Sequence, residues 1–124
     1  MTRMTLARIA LAGLLLAPLP SAAHHSYAMF DMQKTVALQA TVVRFKWQNP
    51  HAFIEADVAE RGTAQRWSIE MTSPNNLAQE GWKRTSLRPG DRVTIYVHPL
   101  RSGARGGSYA GVRLPDGSTL GDVS

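Results

Sequence analysis

Four histidines are the residues of this sequence best suited to chemistry, and two of them, His24 and His25, are adjacent. They follow three small residues at positions 21–23, a pattern at which export signals are cut. Cleavage after Ala23 would make His24 the first residue, whose α-amine and ring Nδ1 chelate one metal ion. A planar array of nitrogen ligands suits Cu(II), which also heads the affinity order of divalent metals. The sequence therefore predicts a copper site at a processed N-terminus.

The cleavage position decides which ligands that terminus offers. A cut one residue earlier leaves Ala23-His24-His25, in which the third-position histidine binds Cu(II) or Ni(II) together with the amine and two amide nitrogens. Ser21 and Ala23 favour the cut after Ala23, whereas Pro20 disfavours the earlier one. A solvated terminus whose histidines bind nothing is the alternative to both sites.

A histidine brace also needs an imidazole from elsewhere in the chain. His51 follows Asn49 in a predicted turn, and His98 stands where a predicted strand ends. We therefore name His24, His25, His51 and His98 as candidate metal ligands, with His51 as the preferred distant one. The alternatives are that His51 only caps its turn by hydrogen bonding and that His98 is solvated.

Carboxylate and thioether side chains add further candidates. Glu70 is predicted to face outward, where it is a metal ligand or a partner that orients a histidine. A surface ion pair with Arg66 or Lys46 is the simpler interpretation. Met29 and Met71 are possible soft ligands for Cu(I), although Met71 has the parity of a core residue.

A second set of residues combines aromatic, cationic and polar side chains. Its members are the predicted ligand-binding residues Trp47, Asn49, Glu70, Tyr96, Arg101 and Arg105. Aromatic rings beside cations form stacking platforms for single-stranded nucleic acid, but export and a small net charge argue against that partner. The set suits a peptide, a carbohydrate or an anionic envelope component, with core packing of each ring as the alternative. No serine-hydrolase, zinc-protease or phosphate-loop motif is present.

The N-terminal residues read as an export signal. Arg3 and Arg8 precede and interrupt an apolar stretch of about 11 residues, short of the roughly 20 that span a bilayer. We therefore expect a signal peptide over residues 1–23, one domain over residues 24–124, and no membrane span after cleavage. Removal of Arg3 and Arg8 would lower the formal charge from +5 to +3. The expected location is periplasmic or secreted, and the lack of cysteine excludes disulfides and thiolate ligands.

Period-two alternation of apolar residues predicts five strands. They cover residues 35–47, 53–58, 65–71, 92–97 and 109–114. In the first strand the apolar parity changes between Val42 and Val43, which predicts a β-bulge, with a strand apolar on both faces as the alternative. Residues 60–63 are a predicted hairpin turn, residues 101–107 a loop, and the tail after the turn at residues 115–117 is expected to fray.

One short helix is predicted over residues 74–80, with Ser73 as its N-cap and Gly81 at its end. Five strands with a helix between the third and the fourth are the order of an OB-type barrel. The expected fold is thus all-β with one short helix, a five-stranded OB-like small barrel, with an open β-sandwich as the alternative. In such barrels the first turn and the loop after strand four border the binding face, so His51 and His98 are expected near one rim.

Eight short motifs are spread along the chain. They are Ala23-His24-His25-Ser26, Phe30-Asp31, Trp47-x-Asn49-Pro50-His51, Trp67-x-Ile69-Glu70, Ser73-Pro74, Gly81-Trp82, Leu87-x-Pro89-Gly90-Asp91 and Leu114-Pro115-Asp116-Gly117. In this combination the sequence resembles a family of small exported bacterial proteins that is classed only as a domain of unknown function. The resemblance covers residues 24–121 and implies export and a single domain, but no activity.

These features predict a binding protein rather than an enzyme. The first hypothesis is an exported copper carrier or buffer that uses His24, His25 and His51. The second is a metal-free recognition module whose residues 47–51 and 101–105 hold an envelope protein or a small ligand. The third is a copper oxidase or oxygenase with an open coordination position, against which the lack of an obvious substrate cleft argues. The oligomeric state does not follow from the sequence.

Overall fold

The computed structural model describes residues 27–124, so the predicted signal peptide, His24 and His25 lie outside the described residues. The described chain forms strands β1 (Val36–Lys46), β2 (Phe53–Glu60), β3 (Thr63–Glu70), β4 (Arg92–Pro99), β5 (Gly106–Arg113) and β6 (Thr119–Gly121), with helix α1 (Pro74–Gln79) between β3 and β4. Within this range no helix is long and apolar enough to cross a membrane.

The first five strands close into a barrel. Their order is β3-β2-β1-β4-β5, and a parallel pairing of β3 with β5 joins the two ends of the sheet. All other pairings are antiparallel, so the barrel is mixed. The predicted OB-like five-stranded barrel is confirmed, and the open sandwich is wrong.

Strand β1 curls because it contains the predicted bulge. Its pairing with β2 shifts register between Val42 and Arg44, which leaves Val43 as the extra residue. Before the bulge Leu38 and Val42 point into the barrel, and after it Phe45 packs partly buried against the same core. A bulge increases local twist and bends the strand, which lets one strand pair along its length with both β2 and β4.

The inward residues of β2, β3 and β4 fill the barrel as their alternation predicts. Ile54, Ile69 and Ile95 have no exposed surface, and Leu77 of α1 packs into the same cluster. The helix starts as predicted, because the Ser73 side chain accepts a hydrogen bond from the Asn76 backbone N–H at 3.3 Å. It ends at residue 79, one residue before the predicted end.

Two predictions for the C-terminal part are wrong. Strand β5 begins at Gly106 rather than at residue 109, because Gly106 lets it approach the Ser68 carbonyl of β3 and Gly107 lets it approach Val97 and His98 of β4. The tail is not frayed, since Thr119–Gly121 pairs with β5 as strand β6. The turn before it is closed by a hydrogen bond from the Leu114 N–H to the Ser118 carbonyl at 2.8 Å, with Gly117 at a φ of +88°.

Candidate metal-binding site

A cavity of about 350 Å³ opens at one side of the barrel, between the first described residues, the ends of β2 and β3, and strands β4 to β6. Its walls include both described histidines, His51 and His98, which lie 47 residues apart in sequence. The prediction that the two lie near one rim rests on the fold class and on their positions in the first turn and after strand four. Closure of the barrel brings them to the same cavity.

Residues 27–34, which we call the N-terminal strap, form one edge of this cavity. Phe30 is buried and bridges to Leu100 just beyond β4. The Asp31 N–H donates to the Pro99 carbonyl at 2.8 Å, so the strap runs antiparallel to the end of β4. Tyr27, at the start of the strap, lines the cavity.

The strap also fixes the tautomer of His98. Its Nδ1 lies 2.8 Å from the carbonyl oxygen of Lys34. A carbonyl oxygen can only accept a hydrogen bond, so Nδ1 carries the proton. In the neutral ring Nε2 then keeps its lone pair, the arrangement found in histidines that bind metals.

His51, which lines the same cavity, has a similar arrangement. Its Nδ1 lies 2.9 Å from the carbonyl oxygen of Met71 and 3.7 Å from Glu70 Oε1, and both partners are acceptors. The ring is therefore held with Nδ1 protonated and Nε2 free for a ligand. The predicted ion pairs of Glu70 are wrong, because Arg66 pairs with Asp57 and Lys46 pairs with Glu55. The alternative prediction, a carboxylate beside a histidine, agrees with the geometry.

The cavity wall is acidic although the whole chain is basic. Glu70, Glu80 and Asp122 line it, and none of the described lining residues is Lys or Arg. The pKa of Asp122 is lowered, first by hydrogen bonds from the Ser124 side chain and backbone and in smaller part by the nearby His98. This carboxylate therefore stays ionised near neutral pH. Three carboxylates and two imidazoles favour a cation over an anion in this cavity.

Trp82 and Tyr109 form an aromatic wall, of which Tyr109 lines the cavity. The Trp82 indole N–H donates to the Tyr109 hydroxyl oxygen at 3.0 Å, and the two rings meet edge to face. Burial raises the pKa of Tyr109 to about 12, an effect that the nearby Glu80 strengthens and the Trp82 hydrogen bond partly offsets. Gly121 allows this packing, since a Cβ there would lie 2.2 Å from the Tyr109 hydroxyl.

The other predicted ligand-binding residues lie away from this cavity. Trp47 packs against Phe45 at 5.6 Å between ring centroids and is partly buried on the core. Asn49 is exposed in the turn after β1, and Tyr96 points outward from β4, half-buried. Of the two predicted ring residues, Trp47 therefore packs against the core and is not fully available to a ligand.

Both predicted arginines have acceptors within the chain. Arg101 Nε donates to the Ala28 carbonyl at 3.2 Å, which ties the loop after β4 to the strap. Arg105 Nε donates to Glu60 Oε2 at 3.1 Å. The first of these contacts places Arg101 next to the cavity edge as a support for the strap.

Sequence reasoning missed four lining residues of chemical interest, namely Met32, Glu80, Tyr109 and Asp122. Glu80 is the last residue of the predicted helix, and Asp122 lies in the tail that is expected to fray. Tyr109 is predicted only as the first residue of a strand. Met32 follows the Phe30-Asp31 motif, but no neighbouring residue marks it as a cavity residue. All four reach the cavity only through the tertiary fold, so no local sequence pattern marks them.

No three His, Cys, Asp or Glu side chains in residues 27–124 converge closely enough to hold a metal ion by themselves. The same cavity is lined by two imidazoles and three carboxylates, those of Glu70, Glu80 and Asp122.

The closed sheet and the single short helix of residues 27–124 define the class as a small β-barrel domain. The chain belongs to a family of unknown function, DUF6152, whose profile matches residues 12–109. No curated protein and no solved structure matches it. The predicted membership of an uncharacterised family is confirmed.

Proposed function

We propose that this protein is exported to the periplasm and binds copper there for carriage or buffering, without catalysing a reaction. The observation that carries the proposal is the shared cavity of His51 and His98. In each ring the Nδ1 N–H donates a hydrogen bond to a backbone carbonyl, which leaves the Nε2 lone pair for a metal ion. The acidic wall around them supports a cationic ligand.

The predicted terminal ligands are within reach of this cavity. Two residues separate His24 from Tyr27, which lines the cavity, and the three Cα-to-Cα steps between them span at most about 11 Å. The strap that follows is held on β4 by Phe30 and Asp31. This short spacing supports a contribution of the His24 amine and imidazole to the proposed site.

Copper fits this ligand set better than other common metals. Two barrel imidazoles with the amine and imidazole of His24 give a nitrogen-rich sphere, and such spheres favour Cu(II) among the first-row divalent ions. Since residues 27–124 hold no complete site, tight binding should require the processed terminus. The amine is available only after the signal peptide has been removed.

Cu(II) titration of the exported protein tests this proposal. Mass analysis first establishes that the protein begins at His24, and competition with a chelator then measures Cu(II) affinity. We expect at least about tenfold weaker binding for His51→Ala and for protein whose amine is acetylated. Gln48→Ala, an exposed change in the turn that precedes His51, is the matched control and should bind as wild type.

Equal Cu(II) affinity of the wild type, the acetylated protein and His51→Ala would reject the copper site. The metal-free module that uses residues 47–51 and 101–105 would then be the better proposal, supported by the exposed Asn49 and the half-buried Trp47. Oxygen uptake with a reductant separates the binding role from an oxidase, since a carrier should consume no oxygen beyond that of free copper.

A further inference from the structure

We propose that Met32 is a ligand for Cu(I) in this cavity, so that the site retains copper when the ion is reduced; the inference rests on the proposed function. Thioether sulfur is a soft donor that selects Cu(I), whereas imidazole serves both oxidation states. The sequence contains no cysteine, so methionine is its only soft ligand.

Backbone hydrogen bonds on both sides of Met32 hold this part of the strap beside His98. The Asp31 N–H bonds to the Pro99 carbonyl at 2.8 Å, and the Lys34 N–H bonds to the Asp31 carbonyl at 3.1 Å, which makes Met32 a corner of a turn. The Lys34 carbonyl accepts the hydrogen bond of His98 Nδ1 at 2.8 Å. Met32 is thus two residues from the group that orients His98.

Comparison of three methionines singles out Met32. Met71 also lines the cavity, but it is 3 % exposed and belongs to the core cluster, so packing accounts for it. Met29 and Met32 are exposed to a similar degree, 48 % and 45 %, and lie on the same strap. Only Met32 of these two lines the cavity. Exposure alone therefore does not mark the ligand, whereas position on the cavity does.

Imidazole and carboxylate groups alone do not complete a metal site in the described range. No three His, Cys, Asp or Glu side chains converge in the described range, so neither oxidation state is satisfied by these groups alone. Cu(II) gains its missing nitrogen ligands from the terminal residues of the proposed function. Cu(I) gains its missing soft ligand from Met32, together with His51 and His98.

Anaerobic Cu(I) titration of the processed protein against a Cu(I)-selective chelator tests this inference, with a Cu(II) titration in parallel. We expect Met32→Leu to weaken Cu(I) binding at least about tenfold and to leave Cu(II) affinity within about twofold of wild type. Met29→Leu is the matched control and should change neither affinity. Leucine keeps the volume of methionine, so both variants should fold.

A second measurement follows the sulfur directly. In protein labelled at the methionine methyl carbons, Cu(I) should shift the Met32 methyl resonance and leave that of Met29 in place. An unchanged Met32 resonance, or wild-type Cu(I) affinity in Met32→Leu, would overturn the inference while leaving Cu(II) binding intact. Failure of the wild type to bind Cu(II) would instead reject the proposed function.

Discussion

At the scale of single residues, the cavity wall depends on Tyr109. Its hydroxyl oxygen accepts from Trp82, a nearly fully buried side chain whose indole N–H needs a partner. Burial disfavours the phenolate, which is why the pKa rises from 10.0 to about 12. The neutral hydroxyl therefore persists through the physiological pH range and holds the aromatic wall in one arrangement.

The raised pKa of Tyr109 predicts a loss of stability in alkali. The unfolded chain ionises this phenol near pH 10 and the native chain only near about 12. The stabilising contribution of the neutral phenol is therefore complete below pH 10 and is lost as the pH rises from 10 to about 12. Tyrosinate absorbance of the wild type minus that of Tyr109→Phe should give a midpoint near 12. A midpoint near 10 would contradict the burial of this hydroxyl.

Gly121 is predicted to be irreplaceable for a steric reason. A Cβ there would lie 2.2 Å from the Tyr109 hydroxyl and 2.4 Å from the Ala110 carbonyl oxygen, at a φ of +74°. We expect Gly121→Ala to lower the free energy of unfolding by about 3 kcal/mol. Gly117→Ala is the control, because Gly117 also has a positive φ but nothing within 4 Å.

That control should cost only about 1–2 kcal/mol, the strain of a left-handed alanine. Urea denaturation measures both variants. If the two losses are equal, Gly121 contributes through its backbone conformation alone, and the proposed contact with Tyr109 has no energetic weight.

At the scale of elements, the N-terminal strap is the part that connects the barrel to the predicted terminal ligands. Phe30 is 4 % exposed, yet it lies outside the barrel's main core cluster. Its backbone bridges to Leu100, and backbone hydrogen bonds join the neighbouring Asp31 to Pro99 and Met29 to Arg101. The strap is therefore expected to open without unfolding the barrel.

Phe30→Ala tests this separation of strap and barrel. Removing the ring should speed hydrogen exchange of the Asp31 and Arg101 amides at least about tenfold, because local opening becomes easier. Exchange of the Ile54 amide, in the central part of the sheet, should stay close to the wild-type rate. An equal acceleration at all three amides would show that Phe30 stabilises the whole domain, and the strap would not be an independent unit.

At the scale of the whole molecule, one short parallel pairing of β3 with β5, which we call the seam, closes the barrel. Strands β3 and β5 pair in parallel through Ser68–Gly106, Ile69–Gly107 and Glu70–Ser108. The same seam brings Glu70 of β3 beside the cavity residues of β5. Since the ends of the sheet are far apart in sequence, closure carries an entropic cost that close packing at the glycines must offset.

Gly107→Ala should disturb the end of β5 that forms this seam, by pushing it away from β4. A Cβ at position 107 would lie 2.9 Å from the His98 carbonyl oxygen and 2.9 Å from Val97 Cβ. Neither neighbour is a flexible side-chain tip, so we expect a loss of about 1–3 kcal/mol in the free energy of unfolding. Ser108→Ala, the next position in the same pairing, should stay within about 0.5 kcal/mol of wild type. Wild-type stability of Gly107→Ala would show that β5 can move away from β4 at this point without cost.

Much of the fold was predictable because its signals are local. The parity change at Val42 and Val43 predicted the bulge, and Ser73 marked the start of the helix. The candidate site was predictable only in part. His51 and His98 were named from their positions at strand ends, whereas Met32 and Asp122 carry no local mark. The copper ligands His24 and His25 remain predictions, since they lie outside the described residues.

Local sequence patterns predict most of strands β1 to β5, their turns and which residues face inward, because a period of two and turn chemistry act between near neighbours. The tertiary structure alone shows that the sheet closes, that residues 119–121 add a strand, and that two distant imidazoles share an acidic cavity. These features depend on pairings between residues far apart in the chain. Their register is set by the packing of the whole molecule rather than by any local pattern.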